Sequence, residues 1–502
     1  MRAAALLFFS AVFLVACGGS PKTDGAPATR TTMTPKRAAA GELTTYKGGE
    51  AIGKERWTDD GERLTSTLEL SGATATVTID RPARRVRVES GGTSIERDVA
   101  EGMVALENGS WQAYAVAAES FAHASTPTPV KVLVPGQGAV VDGTIRVTPA
   151  AGGAGRVVTV EIGPLAVTAE IDARGRVVRA TVPAQDVEAQ LATDPPPPKK
   201  AAPEPPDFVV EEAVEVTAHD GVALRGSLWV PRDARGPVPA ALVIAGSGPT
   251  DRDGNGKLGL RTDAYRMLAE ELAKRGIATL RYDKRGVGAS SRPADPAAAT
   301  IDDFVSDAAS MLGRLRDPAR FSKVSVVGHS EGGLVALLLA RKVPVDALVL
   351  VGTAGRPLRA VLREQLSTKV DAATMAEVDR ILADISAGRP VERVPPALAP
   401  LFSPTVATFL RSVIDVDPAP ILRGLSVKTT VVQGETDAQI GVADANLLGK
   451  ARPGVEVAIL PRVNHVLKEE ASIELPQASY TDPSRPIARA AVDAIARGIV
   501  GR

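Results

Sequence analysis

The sequence predicts an α/β domain built on a mainly parallel sheet over residues 208–502, preceded by an antiparallel β domain over residues 41–192. Three observations carry this. After residue 208, short apolar runs alternate with amphipathic helical patterns, as in strands buried on both faces and covered by helices. Before residue 192, apolar and polar side chains alternate with period two. Between them, residues 195–206 read Pro-Pro-Pro-Pro-Lys-Lys-Ala-Ala-Pro-Glu-Pro-Pro. This stretch favours extended polyproline geometry, so residues 193–207 form a semi-rigid spacer. A chain of 502 residues exceeds one ordinary core, and two domains are its natural partition.

At the N-terminus, Arg2 precedes an apolar run from Ala3 to Ala16, the layout of a secretory signal. Leu14-Val15-Ala16-Cys17 followed by Gly18 resembles the lipobox of bacterial lipoproteins, with Cys17 as the site of lipid attachment. That resemblance implies a signal peptide over 1–17, secretion, and a lipid anchor in the cell envelope. Gly18, where inner-membrane retention is associated with aspartate, points to the outer membrane. A plain signal peptide and a short membrane anchor are the alternatives, although 14 residues fall short of the ~20 that a spanning helix needs. Residues 18–40 are rich in Gly, Ser, Thr, Pro and Lys and read as a flexible tether.

In the β domain, Ala75, Val77 and Ile79 alternate with Thr74, Thr76 and Thr78, and Val158, Val160 and Ile162 with Thr159 and Glu161. Asp172-Ala173-Arg174-Gly175 separates two such runs and predicts a hairpin turn. One apolar face per strand implies an antiparallel sheet or half-barrel packed on one side. Trp57, Trp111 and Tyr114 are read as buried core aromatics rather than the lining of a concave surface.

In the α/β domain, the apolar runs are Ala240–Ala245, Ile277–Tyr282, Val324–Val327, Ala347–Val351, Thr429–Val432 and Val455–Leu460. Leu268 and Leu272 share one helix face, Phe304, Ala308, Met311 and Leu315 another, and Thr300-x-x-Asp303 supplies a capping box. From about 356 to 425 the alternation gives way to helix-prone sequence broken by prolines, the size of a cap inserted over the sheet edge.

The 59 basic and 59 acidic side chains cancel, so no global field favours nucleic acid. The four histidines and one cysteine form no cluster with metal-ligand spacing, and neither metal nor cofactor is expected.

Gly328-His329-Ser330-Glu331-Gly332 matches the G-x-S-x-G nucleophile elbow. Alone the pattern is weak, arising by chance in roughly one chain of this length in five at ~7% Gly and Ser usage. Its position, directly after one apolar run and before the helix-prone Leu334–Ala340, makes it specific. A serine hydroxyl needs a base, and the base an orienting carboxylate; in α/β-hydrolases they follow in the order Ser, acid, His. Thr429–Gln433 is a late strand ending in Gly434-Glu435-Thr436-Asp437, which selects Asp437, with Glu435 as fallback. The final run delivers His465 in the loop after it. His329, beside the nucleophile, is expected to aim away from the chemistry. The oxyanion of acyl transfer needs backbone donors. Glu331 at the helix start supplies one, and Ser247, in the glycine-rich loop 246–255, the other. That loop lacks the Gly-Lys-Ser/Thr ending of a phosphate loop.

GSGPTDRDGN, RYDKRGVGAS, GHSEGG, QGETDAQI and VNHVLK together resemble the EstD-type esterase group of α/β-hydrolases, near the serine-aminopeptidase-like and dienelactone-hydrolase-like hydrolases. The resemblance covers about residues 208–502. It implies hydrolysis of small-molecule carboxylic esters, usually short-acyl, with Ser330, Asp437 and His465 as the triad. Ala245 stands where histidine often precedes the oxyanion-loop glycine, a departure that touches loop geometry more than chemistry. A peptidase, thioesterase or lactonase would use the same triad, and an envelope binding lipoprotein with a silent hydrolase domain is the alternative from another class.

Overall fold

The structure, a computed structural model, describes residues 39–501 apart from 71–72, 91–92, 138, 152, 164, 199–203, 257–259, 368, 392, 396–397, 403–405 and 475–476. Cys17, its flanking signal and nearly all of the tether lie outside the described residues. The chain divides into two compact units at residues 202–203.

Among the described residues, the first unit is one thirteen-stranded sheet with a single α-helix. Strands β1 (Ala39–Lys47) to β6 (Thr93–Asp98) form a meander to one edge, and β13 (Val187–Leu191) pairs with β1, so the sheet continues through β12 (Val177–Val182) back to β7 (Met103–Ala105). Period-two patterning fixes the faces. In β2 (Glu50–Asp59), Glu55, Trp57 and Asp59 are buried while Lys54, Arg56 and Thr58 are exposed. The turn after Asp172 joins β11 (Leu165–Asp172) to β12 in an antiparallel pair, as the sequence predicts. Trp57, Trp111 and Tyr114 are core residues, and Trp111 Nε1 donates to Thr45 Oγ1 at 2.9 Å.

Two features depart from the sequence expectation. Helix α1 (Ala113–Ser120) is buried against β7, β10 (Gly155–Ile162) and β11. Its sequence, AYAVAAES, is apolar on every side until its last residues and so shows no helical stripe. Strand β7 also runs parallel to β8 (Thr128–Val134) rather than antiparallel. The helix lies between these two strands in the chain and supplies the crossover that a parallel pair requires.

Glu55 is fully buried, and its carboxylate accepts the backbone N–H of Gln112 at 3.1 Å, tying the start of α1 to the sheet. Burial pushes its carboxyl up to about 7, against the hydrogen bonds that hold it down. A group whose proton is held more tightly in the folded state than in the unfolded one stabilises below its unfolded value of 4.5 and loses that contribution as pH rises to about 7.

The second unit is an eight-stranded sheet in the order β14-β15-β17-β16-β18-β19-β20-β21. Strands β14 (Val209–Thr217) and β15 (Ala223–Pro231) are antiparallel, and from β17 (Ala278–Tyr282) through β16 (Val238–Ile244), β18 (Phe321–His329), β19 (Ala347–Val351) and β20 (Lys428–Gly434) to β21 (Glu456–Leu460) all pairs are parallel. Helices cover both faces, one core lying under α3 (Ile301–Gly313) and α4 (Glu331–Lys342), the other under α2 (Ala264–Ala273) and α11 (Arg489–Val500). The Thr300–Asp303 capping box opens α3. Between β19 and β20 come α5 (Leu358–Ser367), α6 (Ala372–Ser386), α7 (Ala399–Phe402), α8 (Ala407–Val413) and α9 (Pro418–Arg423); α5 to α8 share a small core of their own.

For Glu55→Gln, calorimetry of the whole chain is expected to show a first-unit transition whose stability no longer falls between pH 4.5 and 7, the wild-type fall being on the order of 3 kcal/mol. An unchanged pH profile would count against Glu55 as the titrating group.

Candidate active site

The sheet brings its loops together at the carboxyl ends of the parallel strands, where open α/β sheets place ligands. Ser330 sits between β18 and α4 with φ 55° and ψ −122°, outside the regions favoured by residues with side chains. The flanking glycines make this possible. A Cβ on Gly328 would lie 2.3 Å from the Gly332 carbonyl oxygen, and one on Gly332 would lie 2.3 Å from that of Ile244. Strand, turn and helix therefore meet backbone to backbone, and the Ser330 N–H is held by the Val351 carbonyl at 2.8 Å.

Asp437 and His465 follow β20 and β21 and are both buried. His465 Nδ1 lies 2.7 Å from Asp437 Oδ2. Asp437 Oδ1 accepts the N–H groups of Gln439 and Ile440 at 2.8 and 2.9 Å, and Gln433 Nε2 donates to Oδ2 at 3.1 Å. With a carboxylate oxygen as the acceptor at Nδ1, that nitrogen carries the proton and Nε2 is the ring's acceptor. Ser330, His465, Gly246 and Ser247 line one small cavity of about 20 Å³, room for a single water. Glu435, the fallback acid, has no hydrogen bond to His465 among the described residues; its N–H is bound by the Leu460 carbonyl.

The expectation for His329 is corrected. Its ring lies 4.7 Å from that of His465, and its Nε2 is 2.8 Å from the His465 carbonyl oxygen. A carbonyl only accepts, so Nε2 carries the proton and Nδ1 accepts from Tyr265 Oη at 2.7 Å. The Tyr265 oxygen in turn accepts the Gly246 N–H at 3.1 Å. This chain joins the loop that holds Gly246 to the loop that holds His465. Burial first, then the neighbouring His465, depress His329 to about 3, so it stays neutral.

The loop 246–255 is braced by the RYDKRG segment that follows it in space. Arg252 is held by Asp283, through its N–H at 2.8 Å and its guanidinium at 2.7 Å. Arg281 pairs with Asp253 and lies 4.3 Å from the Trp229 ring. Arg285 forks onto Asp307 at 2.7 and 2.8 Å and reaches Asp220. The sequence carried no signal for these roles beyond the density of charge in the motif.

Facing Ser330 from the cap side is a cavity of about 110 Å³ walled by Leu334, Leu358, Val361, Leu362, Val413 and Val416. Its charged lining residues are Glu331, Arg356 and Lys369. Among the described residues, His219, Asp220 and Asp303 bring ligand atoms within 4.8 Å of one another. Asp220 is bound to Arg285 and Asp303 caps α3, so both carboxylates already have structural roles.

The strand order, with Ser330, Asp437 and His465 after the third, fifth and sixth of its parallel strands in chain order, is that of the α/β-hydrolase fold. Residues 258–392 match the family described as Hydrolase_4, serine aminopeptidase S33. The chain is 27% identical over 269 residues to esterase EstD of Thermotoga maritima, covering 52% of this chain and 62% of that protein, less than two thirds of its length. Solved structures similar to it include the esterase EaEST from Exiguobacterium antarcticum (18% identity, 51% of this chain and 92% of that one, TM-score 0.35) and the Pyrococcus furiosus esterase PF2001 (17%, 51% and 84%, TM-score 0.36). The second unit is thus similar in sequence to the serine aminopeptidase S33 family over residues 258–392 and to an EstD-type esterase over 269 residues.

A histidine held neutral below its ordinary value of 6.5 contributes stability that is present above 6.5 and lost as pH falls toward 3. For His329→Gln, the acid-side slope of unfolding free energy between pH 6 and 4 is expected to drop by one proton, about 1.4 kcal/mol per pH unit. Urea titrations at a series of pH values measure this, and an unchanged slope would assign the acid sensitivity elsewhere.

Proposed function

We propose that this chain is a serine hydrolase that cleaves carboxylic esters, with Ser330 as nucleophile, His465 as general base and acid, and Asp437 as the carboxylate that orients it. The observation that carries the reading is the strained Ser330 turn opening onto the same small cavity as a His465 already bonded to Asp437. In this mechanism His465 Nε2 takes the Ser330 hydroxyl proton as Oγ attacks the ester carbonyl. The N–H groups of Ser247 and Glu331 stabilise the oxyanion. His465 then returns the proton to the leaving alcohol, and water, activated by the same imidazole, releases the acid. Asp437, with both oxygens engaged by N–H donors, holds one tautomer and offsets the charge of the imidazolium.

The apolar cavity beside Ser330 supports a short, unbranched acyl group. Arg356 is paired with Asp444 and Glu364, and the lining carboxylate, Glu331, is pushed upward by burial, which makes it a poor partner for the free α-ammonium of an aminopeptidase substrate and favours ester over peptide. For location, the lipobox-like sequence supports a lipid anchor at Cys17 in the outer part of the cell envelope.

A fluorophosphonate probe is expected to label the wild type and not Ser330→Ala, and Asp437→Asn is expected to lower kcat about 10⁴-fold. Equal labelling of the serine variant would sink the assignment. Among p-nitrophenyl esters of graded chain length and amino-acid p-nitroanilides, the short esters are expected to turn over fastest; faster anilide turnover would make it a peptidase. Metabolic labelling with a fatty-acid analogue is expected to mark the wild type in a bacterial host and to disappear in Cys17→Ala. Persistent labelling would refute the anchor.

A further inference from the structure

A buried cation near the nucleophile has no part in the triad. Lys284, in the loop after β17, is 6% exposed. Among the described residues its ammonium has one hydrogen-bond acceptor, the carbonyl oxygen of Gly246, at 2.5 Å. A buried ammonium with a single acceptor is costly, and an apolar side chain of the same length would ordinarily be the more stable choice. The position therefore calls for a use of the charge.

The acceptor indicates that use. The Gly246 carbonyl and the Ser247 N–H belong to one peptide unit, which is planar and trans, so the two groups point in opposite directions. A cation bonded to the oxygen fixes where the N–H points. It also draws electron density toward the oxygen, making the N–H a stronger donor. On the other side of the same residue, the Gly246 N–H is held by Tyr265 Oη at 3.1 Å. Gly246 is thus clamped through both of its backbone polar groups, and Ser247 is the next residue along. Burial lowers the Lys284 ammonium and raises the carboxyl of Glu331, the residue proposed to give the second oxyanion donor, and the attraction between the two groups opposes both shifts.

We propose that Lys284 is a positioning residue for acyl transfer, which orients and polarises the Gly246–Ser247 peptide so that the Ser247 N–H binds the oxyanion. This rests on the ester-hydrolase reading above and deepens it by assigning the electrostatic source of the oxyanion hole. The acyl-transfer step itself is unchanged: no new bond forms at Lys284, and no proton of the reaction passes through it.

An interaction that strengthens only as negative charge develops acts on kcat, leaving ground-state binding nearly untouched. The test compares Lys284→Met, which loses charge and hydrogen bond, with Lys284→Gln, which keeps a neutral donor. A double variant, Lys284→Met with Glu331→Gln, avoids leaving a buried carboxylate without its counter-charge. Active sites are titrated first, then p-nitrophenyl butyrate turnover and the second-order rate of fluorophosphonate labelling are measured per titrated site. In Lys284→Met, kcat is expected to fall about 10- to 100-fold with KM within about threefold, below the loss for deleting a direct oxyanion donor. Labelling is expected to slow by a similar factor, since the phosphonyl oxygen occupies the same hole, and Lys284→Gln is expected to recover part of both. Should Lys284→Met fail to fold, the glutamine and double variants decide. A merely structural lysine would reduce the titratable fraction while leaving the per-site kcat unchanged. That result, or a loss confined to KM, overturns the assignment. Absence of labelling in the wild type would overturn the ester-hydrolase reading and this one together, whereas normal wild-type labelling with unaltered variants overturns this one alone.

Discussion

The geometry of the second unit turns on the backbone contact between β16, β18 and α4. Ser330 holds a conformation that costs on the order of 1–3 kcal/mol, and it persists because nothing around it can relax. Gly328 and Gly332 leave no side-chain volume in which the turn could open, and the Val351 carbonyl holds the Ser330 N–H from the next strand. Moving Ser330 would require moving three buried strands, each packed on both faces. The core thus supplies the stability that the turn consumes.

From that fixed point the other parts are set by hydrogen bonds rather than by apolar packing. Asp437 is held by two backbone N–H groups and Gln433, and His465 by Asp437. The loop with Gly246 and the loop with His465 are tied to each other through Tyr265 and His329, in one tautomeric arrangement. Such a chain is strong only when every member is satisfied, and here each donor meets an acceptor. Burial keeps His329 neutral, so the chain stays intact across the ordinary pH range.

Charge around the site is similarly confined. Arg252 pairs with Asp283 and Arg281 with Asp253 between the loop after β16 and the RYDKRG segment, while Lys284 is bonded to the Gly246 carbonyl. Chain-wide neutrality hides this: the sums cancel, yet strong local fields remain where the loop 246–255 is braced.

What the sequence determined by itself is what depends on order and period. Alternating apolar runs gave the parallel sheet, period-two strands the β unit, and the proline run the region where the two units divide. Gly-x-Ser-x-Gly after a strand singled out Ser330 as a candidate, and chain order singled out Asp437 and His465, because each stands at a fixed place after a strand. Tertiary structure alone decided the rest. Helix α1 was invisible because an all-buried helix has no polar face to mark its period. The parallel pairing of β7 with β8 followed from that helix. Tyr265, His329 and Lys284 lie 64 and 38 residues from the groups they hold, counting Tyr265 to His329 and Gly246 to Lys284. No local pattern records such contacts. They exist only once the sheet has brought its strand ends together.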